Sequence, residues 1–285
     1  MFLYLCAVMK TLDLISERSR LRLLEVIHFS KAGHTGGDLS ALNVMTVLYQ
    51  KILNISPSTL SDPDRDRFVL SKGHCTEALF VSLEAAGILP KEMLDTLGQF
   101  GSPLAGHPTN NVPGIEVNSG ALGHGLSIGV GMAMAAKMDG RAYKTFVLMG
   151  DGEQEEGSIY EAAMAGRQYK LDNLVAIIDR NHLQISGNTE DVMGLEDLAA
   201  KWKAFGWDVR EMNGDDTSDI LKTLESTDYA CGKPHMVISH STKGKGVSFM
   251  ENVAGWHHGV PTEEQYAQAV EEISERIKAL EKELL

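Results

Sequence analysis

Apolar residues recur along this chain with a helical period in some stretches and as short continuous runs in others. Leu12, Ile15, Leu23, Val26 and Ile27 are spaced by helical steps among Arg and Glu, which predicts a helix from Lys10 to Phe29. The glycines of Lys31-Ala-Gly-His-Thr-Gly-Gly37 end it, and a second helix is expected from about Asp38 or Ser40 to Leu53. Arg67–Leu70 reads as a short strand leading into Ser71-Lys-Gly-His74, which opens a helix through Ala86. After a Gly/Pro-rich loop from Gly98 to Gly125, Leu126–Met138 is an Ala/Gly/Met helix with hardly any polar face, so it is expected to be buried. Then the alternation becomes regular. Strands at Lys144–Met149, Leu174–Ile178, Trp207–Arg210 and His235–Ser239 are separated by helices at Ser158–Tyr169, Leu195–Phe205 and Ser218–Ser226.

Strands alternating with helices imply an α/β fold, a three-layer α/β/α parallel sheet with helices on both faces. Ligands of such sheets sit beyond the carboxyl ends of the strands, and the loops 150–157, 179–188 and 240–246 all fall there. No linker composition interrupts the chain, so one domain is expected over residues 1–260, with 261–285 as its C-terminal helix. That helix has Thr262 as N-cap, Glu263 and Glu264 in its first turn, and an apolar stripe of Tyr266, Val270, Ile273, Ile277, Leu280 and Leu284. The stripe suits packing on its own domain or docking on another chain.

Composition narrows the function classes. The 285 residues carry 39 acidic and 26 basic side chains, a net charge of −13 that disfavours nucleic-acid binding. No apolar run approaches the roughly 18 residues of a membrane span. Phe2–Val8 is apolar but has no basic flank or cleavage site, so it is not expected to be a signal peptide. Met9 is an equally good start, which would make residues 1–8 an extension. Cys6, Cys75 and Cys231 have neither disulfide nor zinc spacing, and a reducing cytoplasm is the simplest compartment. An acidic chain that handles an anion must still supply local positive charge; Lys243 and Lys245, at a strand end, are candidates, or else a solvated basic turn.

The strongest candidate chemistry lies at two strand ends. Asp151, in Gly150-Asp-Gly152, and Asn181, 30 residues on, are brought to one sheet edge by a right-handed crossover. With the backbone carbonyl of Leu183 they offer three hard oxygens, the ligand type Mg²⁺ takes alongside phosphate and water. Gly150 and Gly152 permit close backbone approach, and the amides ahead of the Ser158 helix favour anionic oxygen. Gly-rich loops also expose His34, His74 and His107, whose imidazoles can exchange hydrogen bonds and protons with hydroxyls and carbonyls.

Gly150-Asp-Gly-Glu-Gln-Glu-Glu-Gly157 with Asp179-Arg-Asn-His-Leu183 resembles the thiamine diphosphate signature of transketolases. Four further motifs follow the family's order: Ala32-Gly-His-Thr-Gly36 is similar to Ser-Gly-His-Pro-Gly, Leu70-Ser-Lys-Gly-His74 to Leu-Ser-x-Gly-His, Ala105-Gly-His-Pro108 to Pro-Gly-His-Pro, and Ser119-Gly-Ala-Leu-Gly-His-Gly125 to Thr-Gly-Pro-Leu-Gly-Gln-Gly. The resemblance implies that Asp151, Asn181 and the Leu183 carbonyl bind Mg²⁺ or another divalent cation such as Ca²⁺ or Mn²⁺. It implies that Gly152 and His74 contact the diphosphate, and that Gly120 and Leu122 line the thiamine site. His34, His107 and a histidine of Trp256-His-His-Gly259 would face the sugar. Counting from Lys243 favours His257 and counting back from Gly259 favours His258, so both stay open. Glu156 and Glu161 match family acids near the subunit interface. Thr35 stands where the family has Pro, and His124 where it has Gln, which leaves the role of His124 open. His28, His182, His235 and His240 are expected to be structural or supporting.

Thiamine diphosphate chemistry in this family also needs a pyrimidine-binding domain with an activating Glu. The resemblance ends near residue 260, so the chain looks like the N-terminal subunit of a split transketolase. Its expected partner is a C-terminal subunit that supplies the pyrimidine domain, with two copies of each chain, acting on a ketose and an aldose that are ordinary pentose phosphates or branched or sulfonated sugars. Two alternatives are the thiamine diphosphate subunit of a 2-oxo acid decarboxylase or dehydrogenase, and a non-catalytic homologue.

Overall fold

The computed structural model describes residues 2–285, with side chains from Val8 onward. The strands are β1 (Arg67–Leu70), β2 (Thr145–Gly150), β3 (Leu174–Arg180), β4 (Leu183–Gln184), β5 (Gly187–Asn188), β6 (Asp208–Asn213) and β7 (His235–His240). The helices are α1 (Phe2–Ser30), α2 (Thr35–Val47), α3 (Thr76–Ala85), α4 (Lys91–Leu94), α5 (Gly125–Met138), α6 (Gly157–Gln168), α7 (Thr189–Val192), α8 (Leu198–Ala204), α9 (Thr217–Glu225) and α10 (Glu263–Leu284).

Five strands form one parallel sheet in the order β1-β2-β3-β7-β6, while β4 and β5 make a small hairpin beyond the end of β3. Because side chains alternate across a strand, β3 sends Val175 and Ile177 to one core and Leu174, Ala176 and Ile178 to the other. The first core also holds apolar residues of α1, α2, α3, α9 and α10; the second holds those of α5, α6 and α8. This is the three-layer arrangement expected from the alternation.

Several boundaries differ from the sequence expectation. α1 begins at Phe2 rather than Lys10; the side chains of 2–7, in the apolar run read as an extension, lie outside the described residues. α2 starts at Thr35, so Gly36 and Gly37 lie inside a helix instead of ending one. Neighbouring groups explain the choice: a Cβ on Gly36 would stand 2.8 Å from the Trp256 carbonyl oxygen, and one on Gly37 2.9 Å from Cys75 Sγ. α5 is buried on one side, through Leu126, Val130 and Ala133, but its Gly131, Ala135 and Met138 are exposed, so it is not the wholly buried helix that its composition suggested.

The C-terminal stripe packs on the same chain. Ile273 is buried in the first core, with Tyr266 and Ile277 against it, and Tyr266 stacks on His28 at 4.2 Å. Thr262 and Gln265 form the capping box that starts α10. Ion pairs Arg18–Glu281 (2.7 Å) and Arg276–Glu17 (2.9 Å) flank the α1–α10 contact. Among the described residues, no helix is long and apolar enough to cross a membrane.

Candidate active site

The register sets Gly150 beside Asp179, and Asp179 beside Ser239, so the loops after β2, β3 and β7 leave the sheet side by side. The loop after β1 joins them. A cavity of about 420 Å³ opens at this edge. Its lining includes His34, His74, Gly120, Leu122, Gly150, Asp151, Gly152, Glu156, Asn181, Leu183, Lys243 and His257. Twelve residues singled out from scattered motifs thus meet in one place.

Asp151 is held from several directions. Its Oδ1 accepts the Gly152 amide (2.8 Å), and its Oδ2 accepts the His182 amide (2.7 Å) and Arg180 Nη1 (3.2 Å). Burial, and next the Asp179 charge, push its pKa up, against the opposing pull of Arg180 and the two amides. Asn181 commits its amide nitrogen to Ser40 Oγ (3.2 Å) and Asp179 Oδ2 (3.1 Å), and its Oδ1 accepts the Leu183 amide at 3.1 Å. His182 adopts φ +65°, a left-handed turn that lets its amide reach Asp151.

Two buried lysines neutralise this acidic edge. Lys243 Nζ donates to the Leu183 carbonyl (2.7 Å) and lies 2.9 Å from His257 Nδ1. It is 1% exposed, which overturns the reading of a solvated turn. Burial and the nearby Lys72 charge bring its pKa down to about 8. Lys245 turns away, to Asp215 at 3.3 Å, so it does not serve the cavity. Lys72, not singled out from the sequence, pairs with Asp179 on the floor; although burial opposes the charge, the Asp179 carboxylate holds the ammonium above its ordinary pKa.

Glu153 was also not anticipated. Its buried carboxylate accepts from Ser71 Oγ, the Gly123 amide (2.8 Å) and the Gly150 amide (2.9 Å), and so binds three loops of the cavity together. The signal available in the sequence was its place in the Gly-Asp-Gly-Glu run, but an acid in a turn is ordinarily solvated.

The imidazoles cluster around His34, whose ring centroid lies 4.7 Å from His258, 5.3 Å from His74, 6.0 Å from His257 and 6.1 Å from His107. His257 stacks on His74 at 5.4 Å and lines the cavity; His107 and His258 are exposed and do not. Burial, and then the neighbouring His258, lowers the pKa of His34 to about 4; burial and then Lys243 lower that of His257 to about 3; His74 is lowered likewise. All three are therefore neutral at pH 7, each with one N–H and one lone pair.

The other expectations sort themselves by place. His124 sits at the α5 N-cap, with Nδ1 3.0 Å from the Leu122 carbonyl, outside the lining. Glu161 is exposed on α6, away from the cavity. His28 meets Pro261 and Glu263, His235 meets Asp208 (3.0 Å) and His240 meets Glu211 (2.8 Å), all outside the lining.

The arrangement fits a bound diphosphate and cation. Three buried polar atoms on lining residues, His34 Nδ1, Glu155 Oε1 and Gln184 Oε1, have no partner within the chain. The oxygens of Asp151, Asn181 and Leu183 are hard donors, the type a divalent cation such as Mg²⁺ takes; among the described residues no group of three His, Cys, Asp or Glu could hold a metal ion by itself.

Comparison with known proteins places the chain in a family. The family described as "Transketolase, thiamine diphosphate binding domain" matches residues 13–275. The chain is 68% identical to one subunit of the apulose-4-phosphate transketolase of Phocaeicola vulgatus, over 96% of this chain and 98% of that one. It is 40% identical to the SqwG subunit of the 6-deoxy-6-sulfo-D-fructose transketolase of a Clostridium species, over 92% and 96%. Campylobacter jejuni transketolase superposes with a TM-score of 0.84 at 31% identity, over 92% of this chain but 43% of that chain. The chain thus spans less than half the length of this undivided transketolase. It belongs to the transketolase family, and the part matched is that family's thiamine diphosphate-binding domain.

Proposed function

We propose that this subunit, with a C-terminal partner, transfers a two-carbon ketol unit from a ketose phosphate to an aldose. The single observation that carries this reading is the ring of imidazoles about His34 at the mouth of the Asp151–Asn181 cavity. A 2-oxo acid has no array of hydroxyls for such a ring to address, so the decarboxylase reading loses ground.

Thiamine diphosphate, when bound, would supply the carbon centre that takes up the ketol fragment, and Mg²⁺ or a similar cation would offset the charge of its diphosphate. Asp151, Asn181 and the Leu183 carbonyl hold the cation. Gly150, Gly152 and His74 accommodate the diphosphate, and Gly120 and Leu122 flank the thiamine. Lys243 keeps the Leu183 carbonyl and His257 in place and offsets negative charge. Glu156 stands at the cavity edge facing the partner.

Cleaving the bond between the second and third sugar carbons turns the C3 alcohol into a carbonyl, an aldehyde in an unbranched ketose and a ketone where the branch is on C3, so the hydroxyl proton must leave. A neutral imidazole accepts that proton, and returning it to the acceptor's carbonyl oxygen completes the transfer. His34 and His257 line the cavity as neutral imidazoles that can exchange hydrogen bonds with the sugar oxygens; His107 and His258, at the rim, suit contact with the remaining sugar hydroxyls.

The partner supplies the pyrimidine domain and the activating Glu, in an assembly with two copies of each chain. This chain is one domain to about residue 260 with α10 as its final helix. A cytoplasmic location accords with Cys75 and Cys231 being free thiols. The donor proposed is a branched ketose phosphate such as apulose 4-phosphate, on the strength of the 68% identical relative's name.

The test is ketol transfer by the chain co-purified with the product of the adjacent gene, with Mg²⁺ and thiamine diphosphate. Apulose 4-phosphate, xylulose 5-phosphate and 6-deoxy-6-sulfofructose are offered as donors. Transfer from the first, dependent on both chains, is expected. Turnover of pyruvate but of no ketose would overturn the reading, and preference for another ketose would overturn the choice of donor.

A further inference from the structure

Thr35 is fully buried, and its hydroxyl donates to the Gly259 carbonyl at 2.5 Å. Gly259 closes the short 3₁₀ turn Ala254–His258, which carries His257 and His258. None of that turn's five residues is fully buried; Trp256 packs against the edge of the first core, and Lys243 Nζ lies 2.9 Å from His257 Nδ1. Its other attachment is to the first turn of α2. There the missing Cβ of Gly36 admits the Trp256 carbonyl, and the Gly36 carbonyl accepts the Gly244 amide at 2.9 Å. The residue next to Thr35 is His34, at the centre of the imidazole ring. One helical turn therefore carries His34 and also grips the segment bearing two of its neighbours. The family motif has Pro at this place, which offers neither hydroxyl nor N–H. The bond is a property of this chain's Thr.

We propose that Thr35 is a positioning residue: its hydroxyl sets where His257 and His258 stand relative to His34. The physical reason is that the bond holds the chain at the carbonyl directly after His258. Removing the hydroxyl leaves the part-buried Gly259 carbonyl without this donor, and the turn is free to shift toward another. A displacement of the proton-transferring groups by a fraction of an ångström lowers the rate of the chemical step more than it weakens cofactor binding. The cation ligands and diphosphate contacts lie on other loops.

This inference rests on the ketol-transfer reading, and its test separates the two. Thr35→Val removes the hydroxyl with little change of shape, and Thr35→Ser keeps it. Each full-length variant is assayed with the partner chain, and the imidazole NMR signals of the full chain are recorded alone. Thr35→Val is expected to lower kcat about tenfold while the thiamine diphosphate KM stays within about twofold. The His257 and His258 signals should move, and Thr35→Ser should restore both rate and signals. A Thr35→Val enzyme with kcat within about twofold of the parent, or with unmoved His257 and His258 signals, overturns the proposal even if its melting temperature falls. Absence of ketol transfer by the unaltered pair would instead sink the functional reading, and the NMR comparison would then decide on Thr35 alone.

Discussion

Lys72, in the loop after β1, and Asp179, near the end of β3, form an ion pair in which each side chain is 1% exposed. The same carboxylate accepts Ser40 Oγ (2.7 Å), Asn181 Nδ2 (3.1 Å) and Ser241 Oγ. Burial alone would raise the Asp179 pKa, but Lys72 and these donors hold it below the usual carboxylate range. Asp179 thus ties together α2 and the loops after β1, β3 and β7, and by engaging the Asn181 amide nitrogen it fixes the orientation of that amide, whose oxygen accepts the Leu183 amide and keeps a second lone pair.

Lys72→Met leaves Asp179 buried without its counter-charge. It is expected to cost about 3–5 kcal/mol of unfolding free energy, measured by urea denaturation, with part of the loss recovered in Lys72→Met/Asp179→Asn. A loss under about 1 kcal/mol would mean that the remaining hydrogen bonds hold the floor alone.

Asp151→Asn preserves shape but removes the anionic ligand. Calorimetry of the reconstituted enzyme should show thiamine diphosphate binding with Mg²⁺ weakened by at least about 100-fold, while the circular dichroism spectrum is unchanged. Equal affinity in the variant would move the cation elsewhere.

His257 and His258 should separate in steady-state kinetics. His257→Ala is expected to lower kcat about 100-fold, since it lines the cavity beside His74 and Lys243. His258→Ala should chiefly raise the sugar KM, by about tenfold. The reverse pattern would exchange the two assignments.

The histidine cluster makes stability depend on pH with a definite sign. His34 and His257 have folded-state values near 4 and 3, against an ordinary 6.5. Unfolded histidines therefore take up protons that the folded ones refuse. The full contribution is present above about pH 6.5 and declines as pH falls toward the folded values. Between pH 7 and pH 5 the urea midpoint should change less favourably in the parent than in His34→Gln, because the buried carboxyls of Asp38 and Glu77, whose pKa values burial raises, act in the opposite direction in both proteins. Equal changes in both proteins would assign the effect to other groups.

Much of this molecule is legible in local sequence. Leu174–Ile178 is apolar at every position, as a strand covered on both faces must be, and it is β3. Thr262 with Gln265 marks the start of α10 through a bond that spans one helical turn. The Gly-Asp-Gly turn and Asn181 could be assigned to one sheet edge because crossovers between parallel strands have one hand. Other features were hidden because their partners are far away in sequence. Gly36 and Gly37 looked like a helix stop, yet they lie within α2, and they are glycine there because Trp256 and Cys75 occupy the space a side chain would need. An Ala/Gly/Met helix looked wholly buried, yet α5 meets the sheet along one side only.

By itself, then, the sequence determined the order of the main strands and helices and the cavity's location at the strand ends, which follow from periodicity, turn chemistry and handedness, whereas lining residues such as Gly120, Leu122, Glu156 and His257 were legible only through the family resemblance. Tertiary structure alone decided which charges are neutralised and which rings face one another. Lys72 meets Asp179 across 107 positions, and Thr35 meets Gly259 across 224. Such pairings are set by how the sheet brings loop ends together, and the energy of a buried charge or hydroxyl depends on the partner it finds there.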